Sequence, residues 1–309
     1  MRLPNFVVVG AAKCGTTSLH RYLRGHPDIY LPEQKELHYF AYSHIARYTA
    51  GPGDGDVLAR IPSKFEQYAA HYAPVGGQPA VGEISTSYMY FADVAESIRG
   101  QLGDVKIIAM IRNPVDKAFS QYLHLVRDNR EPLGFYDALL AEEKRRAEGW
   151  SDFWRYAESS LYAERLKTYL RVFGSNNVKI VVFEEFYSDA TRAMSELLGF
   201  LGVRTDVTLD TTEVHHRSGK PRSKALSSLL AKRSPLSRVA RTLLPRPLTD
   251  AVQRRLWTIN TAGKDPIDTR SRSFLESYCR QDIADVESLL GRPMPWFRER
   301  SPAGRTRND

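Results

Sequence analysis

Two short segments of this chain carry side chains that could grip an anion together. The first is Gly10-Ala11-Ala12-Lys13-Cys14-Gly15-Thr16-Thr17-Ser18. A turn of this composition between a strand and a helix aims several backbone N–H groups, and the positive end of the helix dipole, at one point. Thr16, Thr17 and Ser18 add hydroxyl donors, and Lys13 adds an ammonium from inside the loop. The second segment is Arg112-Asn113-Pro114-Val115-Asp116-Lys117-Ala118-Phe119-Ser120-Gln121-Tyr122. A guanidinium just past the end of a strand lies where open parallel sheets bind ligands. Ser120 follows about two helical turns later, so guanidinium and hydroxyl could hold one phosphate.

The spacing of the first loop separates it from a nucleotide-triphosphate P-loop, which runs Gly, four residues, Gly, Lys, Ser or Thr. Gly10 and Gly15 keep the glycine spacing, but Thr16 stands where the lysine belongs, and the lysine is Lys13. An ammonium moved into the loop aims at a different atom of a bound donor. This argues against a nucleotide or small-molecule kinase, the rival enzyme reading. Cys14 lies in the same loop but has no adjacent histidine to activate it, so it reads as a small packing residue.

These residues need a scaffold. Phe6 to Val9 is a β-branched run ending at Gly10 and predicts a buried strand. Thr17 to Leu23 has helical spacing and stops at Gly25-His26-Pro27. Ile29 to Leu31 is a brief extended piece, Pro32 to Phe40 a loop, and Ser63 to His71 a helix. Ala80 to Ile84 and Val105 to Ile111 predict further strands, the second apolar throughout its centre as in a sheet covered on both faces. Asn113-Pro114 opens a helix. Leu161 to Phe173 predicts an amphipathic helix, Val178 to Phe183 a strand, and Ala190 to Leu201 a helix closed by Gly202. Phe274 to Leu290 is the clearest helix of the last third, with Gly291 at its end. Strands alternating with helices give an α/β class, a P-loop-like parallel sheet flanked by helices, with a helical, basic C-terminal third. We read one domain over 1–309: a core over about 5–224, a helical lid and closing helix over about 225–297, and a frayed tail over 298–309.

Composition narrows the classes. Hydrophobic residues are 42% and charged residues 26% of 309, which excludes coiled coil and wholesale disorder. Two cysteines, Cys14 and Cys279, exclude a disulfide scaffold or a four-cysteine zinc site. No apolar run approaches the ~18 residues of a membrane span. The run Phe6 to Ala12 stops at Lys13 and reads as strand and turn, not as a signal peptide, so a cytoplasmic protein is expected. The net charge is +8. Its densest piece, His215 to Arg246, holds nine Lys and Arg and no acid. Such a stretch attracts an anionic partner. Aromatic residues are absent between Val214 and Arg255, so stacking platforms for single-stranded nucleic acid are missing and none is expected as partner. Leu226, Leu229, Leu230, Leu236, Val239, Leu243 and Leu244 interleave with the basic residues. The segment reads as a lid over a cleft, with peripheral contact to an anionic membrane as the alternative. His215-His216 lacks an obvious third ligand, and no metal site is expected.

Lys13-Cys14-Gly15-Thr16-Thr17-Ser18 resembles the 5′-phosphosulfate loop of sulfotransferases, enzymes that use 3′-phosphoadenosine-5′-phosphosulfate (PAPS) and release PAP. Arg112 to Tyr122 resembles their 3′-phosphate motif. His26-Pro27-Asp28, Glu36-Leu37-His38-Tyr39-Phe40 and Gly82-Glu83-Ile84-Ser85-Thr86-Ser87-Tyr88 resemble segments of bacterial and heparan-type members, as do the later helix–strand pair and Phe274 to Trp296. Departures fall at Ile84, where many heparan-type enzymes carry Lys, and at Thr86, where many bacterial members carry Pro. The resemblance implies a donor site of Lys13, Cys14, Gly15, Thr16, Thr17, Ser18, Arg112 and Ser120. Gly219, Lys220 and Arg222 would form a last phosphate-facing loop.

Sulfuryl transfer to a hydroxyl needs in-line geometry, a base for the acceptor proton and neutralisation of the leaving oxygen. A sulfuryl group carries less charge than a phosphoryl group, so one lysine can stand in for metal ions. Lys13 is therefore assigned to the leaving oxygen. Glu36 matches the family's catalytic glutamate and is the candidate base, needing a raised pKa or a base role realised only as charge develops. A salt bridge to Lys13 or Lys35 is its bland alternative. His38 is second, as direct base, as orienter of Glu36 or as acceptor ligand. The implied acceptor is a hydroxyl of a carbohydrate, a glycolipid or another metabolite, with specificity carried by Tyr42 to Ser63 and Asn129 to Trp154. The non-enzyme rival is a basic nucleic-acid or membrane-binding module.

Overall fold

A computed structural model describes residues 2–207 and 266–297. Among these, five strands form one parallel sheet: β1 (Phe6–Gly10), β2 (Ile29–Tyr30), β3 (Ala80–Ile84), β4 (Lys106–Ile111) and β5 (Val178–Val182), in the order β2-β3-β1-β4-β5. All five positions of β1 and of β3 are buried, as are Ile107 to Ile111 of β4. A strand covered on both faces loses nothing by being apolar throughout, and this is why these runs do not alternate. Val8 faces Ile84 on one side and Ile108 on the other, so the carboxyl ends of β3, β1 and β4 lie side by side. The chain leaves β1 toward β2 and β3 and later returns to β4 on the opposite side. The order thus reverses around β1, where such sheets open a crevice for ligands.

Helix α1 (Thr16–Arg24) follows β1 and buries Leu19, Tyr22 and Leu23. Short helices α2 (Tyr42–Ile45), α3 (Asp54–Leu58) and α4 (Phe65–Ala70) lead to β3, and α5 (Val94–Leu102) leads to β4. Helix α6 (Pro114–Arg127) begins one residue past Asn113. The Asn113 side chain accepts from Val115 N (3.0 Å) and Asp116 N (3.4 Å), while Pro114 needs no partner for a missing N–H. Then come α7 (Phe135–Leu140), α8 (Glu142–Ala147), α9 (Ala163–Phe173), α10 (Phe183–Ser188) and α11 (Ala190–Leu201), closed by Gly202 in the left-handed region. A last described helix, α12 (Thr269–Leu290), ends at Gly291, also left-handed. Its Leu275 packs in a cluster with Val115, Phe119 and Trp154, and its Cys279, Ile283 and Val286 in the main core under the sheet. Asp282 of α12 accepts from Tyr162 N (2.7 Å) and Ala163 N (2.9 Å), satisfying donors at the start of α9.

Several boundaries differ from expectation, the largest shift being at α12, which starts at Thr269 and not at Phe274. The strand over 178–183 stops at Val182, because Phe183 turns directly into α10. The helix over 161–173 starts at Ala163, where Asp282 caps it, and that over 63–71 covers only Phe65–Ala70. The basic stretch over 215–246, with most of the expected lid, lies outside the described residues, as does the tail over 298–309. No described helix is long and apolar enough to cross a membrane.

The two segments expected to carry specificity are joined. Asp54, 3% exposed, accepts from Ser151 N (3.0 Å), Ser151 Oγ (3.0 Å) and Trp154 Nε1 (3.1 Å), and pairs with Arg130 at 2.5 Å. A buried carboxylate with this many donors is an anchor, since removing it strands all of them. Asp54→Ala is expected to lower folding stability by about 3 kcal/mol, read by urea denaturation.

Candidate active site

The loop after β1 is shaped by residues in unusual backbone states. Gly10 has φ 138°, and a Cβ there would meet Thr86 O at 2.8 Å. Gly15 has φ 91° and forms the cap position of α1, where a Cβ would press on Phe183 and Tyr187 at 3.1 and 3.2 Å. Both positions therefore demand glycine by conformation and by space. Lys13 itself is left-handed at φ 67°. No side chain caps the start of α1, so its first N–H groups remain directed into the loop. Ser18 Oγ and Arg112 Nε are buried without a hydrogen-bond partner. Buried polar atoms are nearly always satisfied, and orphans beside an uncapped helix start suit an anionic ligand.

Arg112, the first residue past β4, reaches back to this loop. Its Nη1 donates to Lys13 O (3.1 Å), and its guanidinium lies 4.3 Å above the Phe183 ring. Glu184, next to Phe183, accepts from Asn113 N (2.9 Å) and from Trp296 Nε1 (2.9 Å), which ties β4, α10 and the chain after α12 together behind the arginine. Ser120 is 2% exposed on α6. Cys14 is fully buried, 3.9 Å from Tyr162 OH, and burial pushes its thiol up to about 11. That is the environment of a packing residue and not of a reactive thiolate.

Half-buried Lys13 is the centre of a cationic group. Burial lowers its pKa to about 8, helped by the charges of Arg127, Arg112 and Lys35 and opposed by Asp128. At neutral pH it remains protonated, in a field that favours an arriving anion.

The carboxylate side comes from the segment before α2 and from the end of β3. Glu36 and His38 are both left-handed, at φ 63° and 53°. Glu36 N donates to Ile84 O (3.0 Å) and His38 N to Ser85 Oγ (2.9 Å), which hold this segment against β3. Glu36 Oε2 accepts from Thr86 N (2.7 Å) and Thr86 Oγ1 (3.0 Å); a proline at this position could offer neither. Lys35 pairs with Glu36 Oε1 and also donates to Thr16 Oγ1 (3.3 Å). His38 Nε2 lies 3.5 Å from Glu36 Oε2, and its Nδ1 is 2.6 Å from Ser87 Oγ.

Here the structure corrects an expectation. Burial alone would raise the Glu36 carboxyl, but the charges of Lys35 and His38 and the bonds from Lys35 and Thr86 outweigh it and bring the pKa to about 2. Glu36 is ionised, and the bridge to Lys35 is present. A raised resting pKa is thus not available to it. Burial lowers the His38 pKa, against the pull of Glu36, so its imidazole is neutral at pH 7. Beneath them Glu83 is 1% exposed and accepts from Tyr68 OH (2.7 Å), Ser85 Oγ (2.8 Å) and Tyr88 OH (2.5 Å); burial raises it to about 6. Through Ser85, this buried carboxylate braces His38.

The sequence-derived candidates Lys13, Cys14, Gly15, Thr16, Thr17, Ser18 and Arg112 converge at the ends of β1 and β4, with Glu36 and His38 at the end of β3. Gly219, Lys220 and Arg222 lie outside the described residues. Among the described residues no group of three or more His, Cys, Asp or Glu could hold a metal ion. The sequence raised Lys35 only as an alternative partner of Glu36 and Thr86 only as a departure; the residues it did not single out are Phe183 and Arg127. Of these, only Arg127 left a usable signal, two helical turns past Ser120 on the same helix.

Comparison with known proteins bears on the family and the fold. A family model described as sulfotransferase domain matches residues 3–235. A crystal structure of a sulfotransferase from Alicyclobacillus acidocaldarius superposes with a TM-score of 0.76 at 34% identity, covering 95% of this chain and 98% of that one. The human bifunctional heparan sulfate N-deacetylase/N-sulfotransferase 3 is 24% identical over 96% of this chain and 31% of its own length. Mouse sulfotransferase SULT7A1, solved in complex with PAP, shares the fold alone, with a TM-score of 0.50 at 17% identity over 94% of this chain and 89% of that one. The chain spans less than half the length of the curated relatives it matches.

Proposed function

The chain belongs to the sulfotransferase family, and from that premise we propose that it moves a sulfuryl group from PAPS to an acceptor hydroxyl, with Glu36 as base and Lys13 at the leaving oxygen. One observation carries this reading: Lys35 touches both Thr16 of the anion loop and Glu36, so loop and carboxylate are one side chain apart. The residues fit the donor. The uncapped start of α1, Thr16, Thr17 and the orphaned Ser18 hydroxyl suit its 5′ end, and Arg112 with Ser120 its 3′-phosphate. The donor supplies an activated sulfuryl group; the rest of the chemistry belongs to the chain.

Glu36 takes the acceptor's proton as the new O–S bond forms. The same electron pair makes the hydroxyl oxygen the nucleophile, and the S–O bond to the phosphate breaks with its pair on the phosphate oxygen. Lys13 neutralises that oxygen, and its cationic neighbours strengthen the field. His38, neutral and fixed by Ser85 and Ser87, orients Glu36 or the acceptor. The acceptor is a hydroxyl of a carbohydrate, a glycolipid or another metabolite; relatives named for heparan sulfate support the carbohydrate, and one named a 3-O-sulfotransferase supports the hydroxyl. A cytoplasmic protein belongs to the same reading, with a lid as the role of residues 215–246 and peripheral membrane contact as its alternative. Neither the kinase nor the non-enzyme rival gains support from any observation.

Incubation with labelled PAPS and a panel of hydroxylated carbohydrates should give a sulfated product and PAP. No product with any acceptor, and no heat of PAP binding, would overturn the proposal. Arg112→Lys should weaken PAP binding about tenfold by calorimetry, because an ammonium loses both the planar stack on Phe183 and the forked contact.

A further inference from the structure

Lys35 is where the anion loop and the carboxylate meet. Its ammonium sits 3.3 Å from Thr16 Oγ1 and pairs with Glu36 Oε1. The pair is partly sheltered, with the two side chains 17% and 27% exposed. The other carboxylate oxygen is taken by the Thr86 N–H and hydroxyl, with His38 Nε2 3.5 Å away. Every one of these contacts favours the ionised carboxylate and makes it a poorer proton acceptor. The Thr86 N–H belongs to the backbone and is fixed. Lys35 is the movable donor: a long, flexible side chain already resting on the first residue of α1.

We propose that Lys35 guards Glu36, pairing with its carboxylate while the loop is empty and passing to an oxyanion of the donor once that oxyanion lies against Thr16. The proposal rests on the donor reading given above. It makes the base stronger only when the donor is in place, and so links donor arrival to proton removal from the acceptor. Other titratable groups that feel Glu36 do not duplicate the ammonium. His38 is neutral at pH 7, His20 of α1 is held near 4 by burial and by Lys35 and Arg24, and Glu83 below is an acid. Lys13 lies in the anion loop with its backbone carbonyl held by Arg112, and Lys35 is the lysine that pairs with Glu36.

A double-mutant cycle with PAP, read by calorimetry, tests the sharing of one ammonium between two anions. Glu36→Gln frees Lys35 and should tighten PAP binding about three- to tenfold. In a Lys35→Met background the same change should alter the affinity less than about twofold. Equal tightening in both backgrounds would reduce the effect to general charge repulsion and overturn the proposal. No tightening in either background would overturn it as well. Should Lys35→Met fail to fold, Lys35→Gln takes its place in the cycle. Absence of PAP binding to the folded parent protein is a separate outcome, and would sink the donor reading itself.

Discussion

Glu36→Gln should lower the turnover number by about 10²- to 10⁴-fold while PAP affinity does not fall. Glutamine keeps the shape and can still accept from Thr86 N, so the segment before α2 should stay against β3. What it loses is the ability to take a proton. A resting pKa of about 2 leaves wild-type Glu36 ionised through the working pH range, so no acid limb in the rate between pH 5 and 8 should arise from it. The role must then be realised as charge develops and as its donors loosen, not by a carboxyl waiting half-protonated. The measurement is single-turnover sulfation with saturating labelled PAPS across that range. An unchanged rate would remove Glu36 from the mechanism. Residual activity that falls as pH drops through the histidine range would give His38 the proton.

The anion loop was legible because it is contiguous. Strand, glycines, lysine and hydroxyls lie within nine residues, and the conformations that Gly10 and Gly15 adopt are those their type permits. Arg112 was legible for a similar reason, since a strand end followed by Asn-Pro fixes where its side chain starts. The state of Glu36 was not legible. It depends on Thr86, fifty residues away, and on Lys35, which is shared between Glu36 and the Thr16 hydroxyl. Burial alone suggests a raised pKa, and only the set of partners in the fold reverses the sign. Among the helices that were missed, two regions show a physical reason. Helix α5 has Gly100 inside a nine-residue span and buries only Val94, Ala95 and Ile98, a pattern too short to stand out. Helices α7 and α8 are held by a tertiary contact, the buried Arg145–Glu131 pair at 2.7 Å, which no local pattern announces. The anchor at Asp54 is likewise non-local, since Trp154 lies 100 residues on.

Lys13→Ala should cost about 10³-fold in turnover and leave the fold intact, or slightly more stable. The two halves of this expectation share one cause. Burial, with repulsion from Arg127, Arg112 and Lys35 added to it, puts the folded pKa of Lys13 at about 8, below the ordinary 10.5. A lysine lowered on folding binds protons less tightly in the native state, so its charge weakens folding below pH 8 and the penalty fades as pH rises toward 10.5. Removing the side chain removes the penalty, and thermal unfolding near pH 7 should show an equal or higher midpoint. The same charge is what a developing phosphate oxyanion needs, and it falls away as pH rises through about 8. The wild-type rate should therefore decline on the alkaline side of that value. In Lys13→Arg, whose guanidinium stays charged, the surviving activity should lose this limb. A Lys13→Ala protein that turns over normally would remove the ammonium from the leaving oxygen. One that is inactive but clearly destabilised would make Lys13 a structural residue, and the stability measurement separates these outcomes because burial and like-charge repulsion at Lys13 predict the opposite sign.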